Sequence, residues 1–545
     1  MAARDGAAFG RRSFLVGTAA MIGASARRAA ASDEPVVETA SGKLRGAVED
    51  GIARFLGVPY GAPTGGRNRF MPPQKPEPWG GVRDALAWAG HAPQAGPGPR
   101  RPELAVLSGA PDLVPLSEDC LTLNLWTPGV DGAKRPVMVW YHGGAFSYGS
   151  ANGDRLRGAN LARRGDVVVV TVNQRLAVLG HLHLGELGDA SFAASGNAGT
   201  LDMLAALEWV RDNVARFGGD PGNVTIFGES GGGGKVSTLL AMPAARGLFH
   251  RAIVQSGSAL RLGERARANR LAEAVLREVG LARTELDKLQ ALPFQRLLAA
   301  MGPAEKSLGR PPQPLFDRYD FGPLVDGTIL PAHPFDPGAP AVSDHVPLIV
   351  GGMKDEMAIF LAGDDAVWNR TLTEAELAPR VAAVAGDHAP RVLETYRRLH
   401  PTMNPAERLI TILTDSNFRI RSYLMAARKA ARGQAPVYMY SFDWETPVFD
   451  GKLKAFHALD VPFTFDTIDL VGSTDRGPVA HQLAATMSGT WARFAHGGNP
   501  DNPAIPHWPA YDTDRRATLI LDRDCRIADD PGRETRLLWQ EITRT

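Results

Sequence analysis

Short apolar segments alternate with longer helical runs along most of this chain, and this alternation constrains the fold more than any other feature of the sequence. Most of the apolar segments are rich in Val, Ile or aromatic residues, as strands covered on both faces require. The strand candidates are Val137–Tyr141, Val167–Asn173, Asn223–Phe227, Ala252–Gln255, Pro347–Gly351 and Val437–Phe442. The helical candidates are Thr200–Phe217, Glu264–Val279, Glu374–Ala385, Pro405–Ala431 and His481–Ala495. This order predicts an α/β fold with a central, mostly parallel sheet flanked by helices.

The chain has no internal repeat, long linker or low-complexity tract after its first 31 residues. We therefore predict one domain over residues 32–545. Within it, residues 258–335 and 360–435 are longer than simple strand-to-strand crossovers need. We expect them to form helical insertions over the strand ends, where α/β folds place their sites. Thr373 and Asn404 are suitable N-caps for two of the predicted helices.

Charge and cysteine content exclude several classes of protein. The 545 residues include 60 Lys and Arg against 59 Asp and Glu, a formal net charge of +1. This balance contains no excess of basic residues of the kind that indicates binding to nucleic acid or to an anionic membrane. The two cysteines, Cys120 and Cys525, are too few for a disulfide scaffold or a thiolate-based metal site. No apolar run reaches the roughly 18 residues of a membrane-spanning helix. We predict no nucleic-acid partner and no membrane anchor; the oligomeric state stays open, and a monomer is compatible with the composition.

The N-terminus resembles an export signal. Arg11-Arg12 precede Phe14-Leu15, a weakly apolar run follows, and three small residues end at Ala31. Paired arginines at this place are typical of twin-arginine signals. We predict that residues 1–31 direct export and that the mature protein is periplasmic or secreted. The alternative is a basic N-terminal tail, and the sequence leaves open whether cleavage occurs after Ala31.

The sequence Gly228-Glu-Ser230-Gly-Gly232 directly follows a predicted strand, and a helix can begin behind it. In such a turn, side chains at the glycine positions would collide with neighbouring elements, and the serine hydroxyl stands exposed above the sheet. The bare pattern also fits an ordinary tight turn, so the inference depends on its position between strand and helix. We predict that Ser230 is a nucleophile.

A second glycine cluster, His142-Gly-Gly-Ala-Phe146, follows the apolar run Pro136–Tyr141. In serine hydrolases with this strand-to-helix turn, a loop of this type supplies backbone N–H groups to the oxyanion that forms during the reaction. A glycine loop without function at a strand end is the alternative. Two such loops in this order, each directly after an apolar strand, are much less expected by chance than one. Each loop therefore strengthens the functional interpretation of the other.

A serine hydroxyl is a poor nucleophile at neutral pH, so a base has to take its proton and an acid has to orient that base. In α/β-hydrolases these groups follow in the order Ser, acid, His. Asp355 and Glu356 come just past a predicted strand, and position alone leaves both open as the acid. His457 lies downstream in an apolar setting, with a structural histidine as the alternative. The rival histidines lie in polar or helical stretches: His345, His388, His400, His481, His496 and His507.

Together these motifs resemble the type-B carboxylesterase/lipase family, which includes cholinesterases and bacterial p-nitrobenzyl esterases. The similarity runs from about Pro35 to Leu538. Its landmarks are Phe55–Tyr60, Glu118–Asn124, His142–Phe146, Asn173–Arg175, Gly196–Asp202, Phe217–Pro221, Gly228–Gly232, Gln255–Ser258, Asp355–Glu356 and Phe456–His457. The resemblance implies the α/β-hydrolase fold, with Ser230 as nucleophile, Glu356 rather than Asp355 as acid, and His457 as base. The oxyanion donors that it implies are the backbone N–H groups of Gly144, Ala145 and Gly231.

The resemblance also implies features around the site. It implies structural ion pairs of Arg69 with Glu118 and of Arg175 with Asp202, and supporting roles for Glu229 and Ser256. The chain departs from the family pattern at three places. Gly231 stands where the family commonly has alanine, and Met357 stands where it commonly has glycine. Ala92 replaces a disulfide cysteine, so Cys120 is expected to be a free, buried thiol.

These residues predict a serine hydrolase that cleaves carboxylic esters of small molecules through an acyl-enzyme on Ser230, with no metal or organic cofactor. The same groups would serve a carbamate or amide hydrolase or a lipase, and members of this fold that lack the nucleophile are binding modules. We expect activity to fall below about pH 6 as His457 protonates. The candidates for the wall of the substrate pocket are Phe146, Tyr148, Phe321 and Phe360.

Overall fold

The computed structural model describes residues 34–96, 101–109, 114–188, 190–309 and 320–543. The predicted export signal, residues 1–31, lies outside the described residues. None of the helices in the described ranges is both long and apolar enough to cross a membrane.

Fourteen strands are present in the described ranges. They are β1 (Val36–Thr39), β2 (Gly42–Arg45), β3 (Ala47–Glu49), β4 (Ile52–Pro59), β5 (Val82–Asp84), β6 (Thr122–Thr127), β7 (Arg135–Tyr141), β8 (Val168–Val172), β9 (Gly219–Glu229), β10 (Arg251–Gln255), β11 (Leu348–Met353), β12 (Val437–Phe442), β13 (Ala517–Leu521) and β14 (Arg526–Asp529). Eleven of them form one sheet in the order β14-β13-β12-β11-β10-β9-β7-β8-β6-β4-β3, and β1, β2 and β5 form a small second sheet.

The large sheet is parallel in its middle and antiparallel at both ends. Neighbouring strands run parallel from β8 through β7, β9, β10, β11 and β12 to β13. The pairs β13–β14, β8–β6, β6–β4 and β4–β3 are antiparallel. The prediction of a mostly parallel central sheet is confirmed, and each of the six predicted strands coincides with one of its parallel strands.

Fifteen α-helices connect or cover these strands in the described part of the chain. They are α1 (Ala159–Gly165), α2 (Ala177–His181), α3 (Ala198–Asn213), α4 (Gly231–Leu240), α5 (Arg265–Val279), α6 (Leu286–Ala291), α7 (Phe294–Ser307), α8 (Asp365–Trp368), α9 (Glu374–Ala385), α10 (Ala389–Leu399), α11 (Pro405–Thr414), α12 (Ile420–Ala430), α13 (Asp460–Phe465), α14 (Pro478–Gly497) and α15 (Arg533–Ile542). The five predicted helices are confirmed, and both long insertions are helical.

Two details of the helices bear on the predictions. The side chains of Thr373 and Asn404 each cap a helix in a reciprocal capping box, as their position suggested. The run predicted as one helix over 405–431 is interrupted: α11 passes into a wide π turn, Asp415–Arg419, before α12 begins. π turns of this kind are frequent at functional sites because they turn side chains away from the regular helical face.

The central sheet is buried on both faces. Along β7, Met138 and Trp140 pack into one apolar cluster, whereas Val137, Val139 and Tyr141 pack into another. All five side chains are at most 1% exposed. Alternate residues of a strand point to opposite faces, so each strand contributes to two separate helical layers. The sheet therefore gives a fixed frame for the groups at its strand ends.

Both ion pairs implied by the resemblance are present. Arg175 and Asp202 lie 2.6 Å apart with nearly no exposed surface, and Arg69 and Glu118 also lie 2.6 Å apart. Cys120 is a free, fully buried cysteine, as expected. Burial raises the pKa of its thiol far above the ordinary value, so the group is an inert part of the core.

Candidate active site

Ser230 lies at the sharp turn between β9 and α4. Its backbone has φ 57° and ψ −124°, in a region that residues with a side chain rarely occupy. The backbone N–H of Ser230 donates to the carbonyl of Gln255 at 2.8 Å, which fixes the turn against β10. The flanking glycines are required by space: a Cβ on Gly232 would lie 2.0 Å from the carbonyl oxygen of Tyr141. The strained geometry presents the serine hydroxyl at the end of the sheet.

The side chains of Ser230, His457 and Glu356 form a continuous hydrogen-bonded chain. The Oγ of Ser230 lies 2.7 Å from Nε2 of His457. The Nδ1 of the same ring lies 2.6 Å from Oε2 of Glu356. This order, a hydroxyl, an imidazole and a buried carboxylate, is the arrangement in which a base can take the serine proton while an acid orients it.

The two candidate carboxylates have different surroundings. Glu356 follows β11, is fully buried, and accepts a hydrogen bond at 2.9 Å from the backbone N–H of Met353 through its second oxygen. Asp355 is turned away: its carboxylate accepts from the backbone N–H of Ala455 at 3.4 Å and lies 3.9 Å from Lys354. The structure thus brings Glu356, and not Asp355, to the imidazole of His457.

A third carboxylate, that of Glu229, stands beside the imidazole. Its Oε1 lies 3.2 Å from Nε2 of His457, and its side chain is 2% exposed. Burial raises the pKa of Glu229 to about 8, although the nearby imidazole lowers it. Burial by itself lowers the pKa of His457, but the charges of Glu229 and Glu356 outweigh this effect and raise it to about 9. Because the two carboxylates favour the protonated ring, we now expect the loss of activity at low pH to begin above the value of about 6 that the sequence suggested.

The glycine loop, residues 142–145, packs directly beside Ser230: a Cβ on Gly143 would lie 3.5 Å from the Cβ of Ser230. Gly144 and Ala145 both have positive φ, 86° and 53°, so the chain turns sharply here. Both residues line the same cavity as Ser230 and His457. The loop packs tightly on α4: a Cβ on Gly231 would lie 2.2 Å from the backbone nitrogen of Ala145. The three residues that the resemblance named as oxyanion donors, Gly144, Ala145 and Gly231, therefore lie close together beside Ser230.

The cavity above Ser230 has a volume of about 480 Å³, within the usual range for small-molecule sites. Away from the serine, its wall combines apolar and aromatic side chains with Arg155 and several serines. The wall includes Leu104, Leu107, Tyr148, Ile359, Phe360 and Phe456. Among the described residues, no group of three or more His, Cys, Asp or Glu side chains is arranged to hold a metal ion.

Two of the four aromatic candidates for the wall lie elsewhere. The structure places Tyr148 and Phe360 on the cavity wall. Phe146 is instead 1% exposed and packs edge-on against His181, because the loop turns its side chain into the core. Phe321 is 2% exposed and belongs to the apolar cluster under the first helical insertion. The prediction that Phe146 and Phe321 line the pocket is therefore wrong.

The comparison with known proteins agrees with this geometry. The model of the Carboxylesterase family matches residues 33–538. The chain belongs to this family. Para-nitrobenzyl esterase of Bacillus subtilis is 37% identical over 510 residues, which cover 92% of this chain and 97% of the relative. Phenmedipham hydrolase of Pseudarthrobacter oxydans is 34% identical over 518 residues, with 92% and 97% covered. A carboxylesterase structure from Geobacillus stearothermophilus superposes with a TM-score of 0.79 at 37% identity, covering 93% and 100% of the two chains.

The protein is thus a carboxylic ester hydrolase of the α/β-hydrolase fold.

Two residues of this carboxylesterase's site were not among those predicted from the sequence. Phe418 packs at a tilt beside His457, with ring centroids 5.0 Å apart and 54° between the ring planes. It comes from the π turn after α11, and an unbroken helical pattern gives no signal for that turn. Lys235 lies inside the first turns of α4. The sequence does contain a feature that could have identified it, because Lys235 is the single charged residue between Glu229 and Arg246.

Proposed function

We propose that Ser230 is the nucleophile of this esterase, with His457 as its general base and Glu356 as the acid that orients the base. The observation that carries the proposal is the hydrogen-bonded chain from Ser230 through His457 to Glu356, at 2.7 and 2.6 Å, in the wall of a cavity. In the first step, Nε2 of His457 takes the hydroxyl proton as Oγ attacks the ester carbonyl carbon. The negative charge of Glu356 stabilises the imidazolium that forms.

The carbonyl oxygen becomes an oxyanion when Oγ adds. We propose that the backbone N–H groups of Gly144, Ala145 and Gly231 bind it. When the tetrahedral intermediate collapses, the bond to the alcohol oxygen breaks and His457 donates its proton to that oxygen. Water then attacks the acyl-enzyme by the same route, with His457 again as base, and releases the carboxylate and the free serine.

The cavity indicates the class of substrate. A volume of about 480 Å³ accommodates an ester of small or medium size, and the apolar and aromatic part of its wall favours uncharged acyl and alcohol groups. We propose small, largely apolar carboxylic esters as substrates, and we choose p-nitrophenyl butyrate as the first probe.

The test compares the parent with Ser230→Ala. We expect the parent to release p-nitrophenol and the variant to lose at least about a thousandfold in kcat, as for other serine triads. Ser258→Ala is a matched control, since Ser258 is buried and its hydroxyl bonds to that of Ser422, outside the site. It should retain activity. Equal activity of the parent and Ser230→Ala would contradict the proposal. If the parent is inactive on this ester, labelling with a fluorophosphonate replaces turnover, and an equally labelled Ser230→Ala contradicts the proposal in the same way.

A second pair of variants tests the choice of acid. Glu356→Gln should lower kcat by about 10³–10⁴-fold, because a neutral amide no longer stabilises the imidazolium. Asp355→Asn removes the neighbouring carboxylate, which does not reach His457, and should keep most of kcat. The reverse ranking would show that the acid is Asp355.

For the N-terminus we propose export by the twin-arginine route, on the strength of the sequence pattern alone. Replacing Arg11 and Arg12 together by lysine should retain the protein in the cytoplasm of a bacterial host that has this route. Cell fractionation with p-nitrophenyl butyrate as the assay tests it, and N-terminal sequencing of the exported protein locates the cleavage. Unchanged export of the double variant would contradict the proposal.

A further inference from the structure

Lys235 is a fully buried lysine close to the reacting centre. It lies in α4, five residues after Ser230, and has no exposed surface. Its ammonium group bonds to two backbone carbonyls rather than to a carboxylate: Nζ donates to the carbonyl oxygen of His142 at 2.8 Å and to that of Ala145 at 2.7 Å. The first and last residues of the glycine loop are thus tied to one side chain.

These two carbonyls have a particular relation to the oxyanion donors. The N–H groups of Gly144 and Ala145 belong to the peptide units 143–144 and 144–145. The carbonyl of His142 belongs to the unit just before them, and the carbonyl of Ala145 belongs to the unit just after. Each peptide unit is planar, so fixing the two outer carbonyls restricts the rotation of the two inner units. The lysine therefore clamps both donor peptides from their two ends.

The surrounding helix cannot supply the same restraint through side chains. Residues 231–234 of α4 are all glycine, and the first two lie directly against the loop and the end of β7. A Cβ on Gly231 would lie 2.2 Å from the backbone of Ala145, and a Cβ on Gly232 would lie 2.0 Å from the carbonyl oxygen of Tyr141. Glycine permits this close approach, but it offers no side chain to hold the loop and weakens the helix. Lys235 is the first residue of α4 with a side chain that reaches the loop.

Stability alone does not explain a charge at this place. Burial lowers the pKa of Lys235 to about 7, and only the carboxylate of Glu229 opposes this effect. A buried ammonium without an adjacent carboxylate costs free energy compared with an apolar side chain of similar size. A methionine would fill the same space. An apolar side chain lacks the pair of hydrogen bonds to the glycine loop and the contact of Nζ with the face of Phe146, whose ring centroid is 5.4 Å away, directly behind that loop.

We propose that Lys235 is a positioning residue for the oxyanion site, which holds the N–H groups of Gly144 and Ala145 aimed at one point before the substrate arrives. Preorganised donors act at the moment of charge formation without a cost of reorganisation, so the clamp speeds the chemical step more than it strengthens substrate binding. The inference rests on the proposed role of these N–H groups. The lysine touches neither substrate nor the reacting atoms.

The test uses Lys235→Met and the matched control Lys429→Met. Lys429 is also a buried lysine whose Nζ donates to two consecutive backbone carbonyls, those of Ser343 and Asp344, and it lies outside the site. We expect Lys235→Met to lower kcat for p-nitrophenyl butyrate by about 10–100-fold with KM changed less than threefold. A trifluoromethyl ketone, which forms a tetrahedral adduct with the serine, should lose affinity by the same factor. Lys429→Met should keep kcat and ketone affinity while both variants lose similar stability in urea.

Three outcomes would overturn the proposal. One is parental kcat and ketone affinity in Lys235→Met. Another is an equal loss of kcat in both variants, which would reflect a general effect of losing a buried lysine. If Lys235→Met does not fold, Lys235→Gln, which keeps a donor to one carbonyl, is measured instead and should give an intermediate kcat. Failure of this variant to fold beside a folded Lys429→Met would make the lysine a requirement of folding alone. A Ser230→Ala variant that remains active would contradict the proposed function itself, and this result does not depend on the lysine variants.

Discussion

The charge of Glu229 should set the pH range in which this esterase works. Its carboxylate lies 3.2 Å from Nε2 of His457, and the pKa of that ring is raised to about 9. A base with a raised pKa stays protonated, and therefore inactive, until the pH rises through that value. The kcat/KM of the parent should therefore fall as the pH drops through a midpoint well above 6.5, the ordinary pKa of histidine.

The substitution Glu229→Gln removes this charge and keeps the shape of the side chain. At 3.2 Å and an effective dielectric constant of about 20, the attraction between the two charges is about 5 kcal/mol. The full effect is not expected, because burial raises the pKa of Glu229 itself to about 8; most of this carboxyl group is therefore neutral near pH 7, and it carries its charge only at the alkaline end of the profile. We expect the midpoint of kcat/KM to move down by about 1–2 pH units.

The assay is the pH profile of kcat/KM with p-nitrophenyl butyrate at constant ionic strength. Asp355→Asn is the control, since this substitution also removes a buried carboxylate, but one that faces Ala455 and Lys354. Its midpoint should stay with that of the parent. A midpoint for Glu229→Gln that equals the parent's, or lies above it, would refute the electrostatic reasoning.

Three further results are expected. Gly231→Ala places a methyl group 2.2 Å from the backbone of the glycine loop, so kcat should fall by about a hundredfold with little change in KM; parental kinetics would show that the loop yields freely. Arg175→Met leaves the carboxylate of Asp202 buried and unpaired, which should cost about 3–5 kcal/mol in urea unfolding, and a loss under about 1 kcal/mol would contradict this. Phe360→Ala, on the cavity wall, should change the ratio of kcat/KM between acetate and butyrate esters. Phe321→Ala should instead destabilise the fold by about 3–5 kcal/mol and leave that ratio unchanged; a reversed pattern would put Phe321 at the substrate.

The sequence predicted the middle of the sheet better than its ends. The parallel strands are buried on both faces, so they appear as continuous apolar runs such as Val168–Val172. The antiparallel strands at the ends are less regular. β3 is three residues long and largely exposed, and β14 has exposed residues at both ends and two half-buried residues between them. Short or half-exposed strands depend on pairing with a neighbour, which a local pattern does not reveal.

The parts of the site that depend on backbone geometry could be predicted from the sequence, whereas the parts that depend on side-chain packing could not. The glycines around Ser230 are required by close approach, and this requirement is visible in the sequence. The direction of a side chain is decided by packing: Phe146 and Tyr148 are two residues apart, yet the first points into the core and the second into the cavity. The raised pKa of His457 depends on the convergence of Glu229, Glu356 and Asp460, which no linear pattern shows.

The hydrogen-bonded chain joins parts of the polypeptide that are far apart along it. Ser230 follows β9, Glu356 follows β11 and His457 comes after β12, and the serine and the histidine are 227 positions apart in the sequence. No fragment that lacks any of these three strands can bring the groups into contact. Esterase activity therefore reports completed assembly of the sheet. During refolding, turnover should be the last signal to return, after the spectroscopic signals of secondary structure and of tryptophan burial.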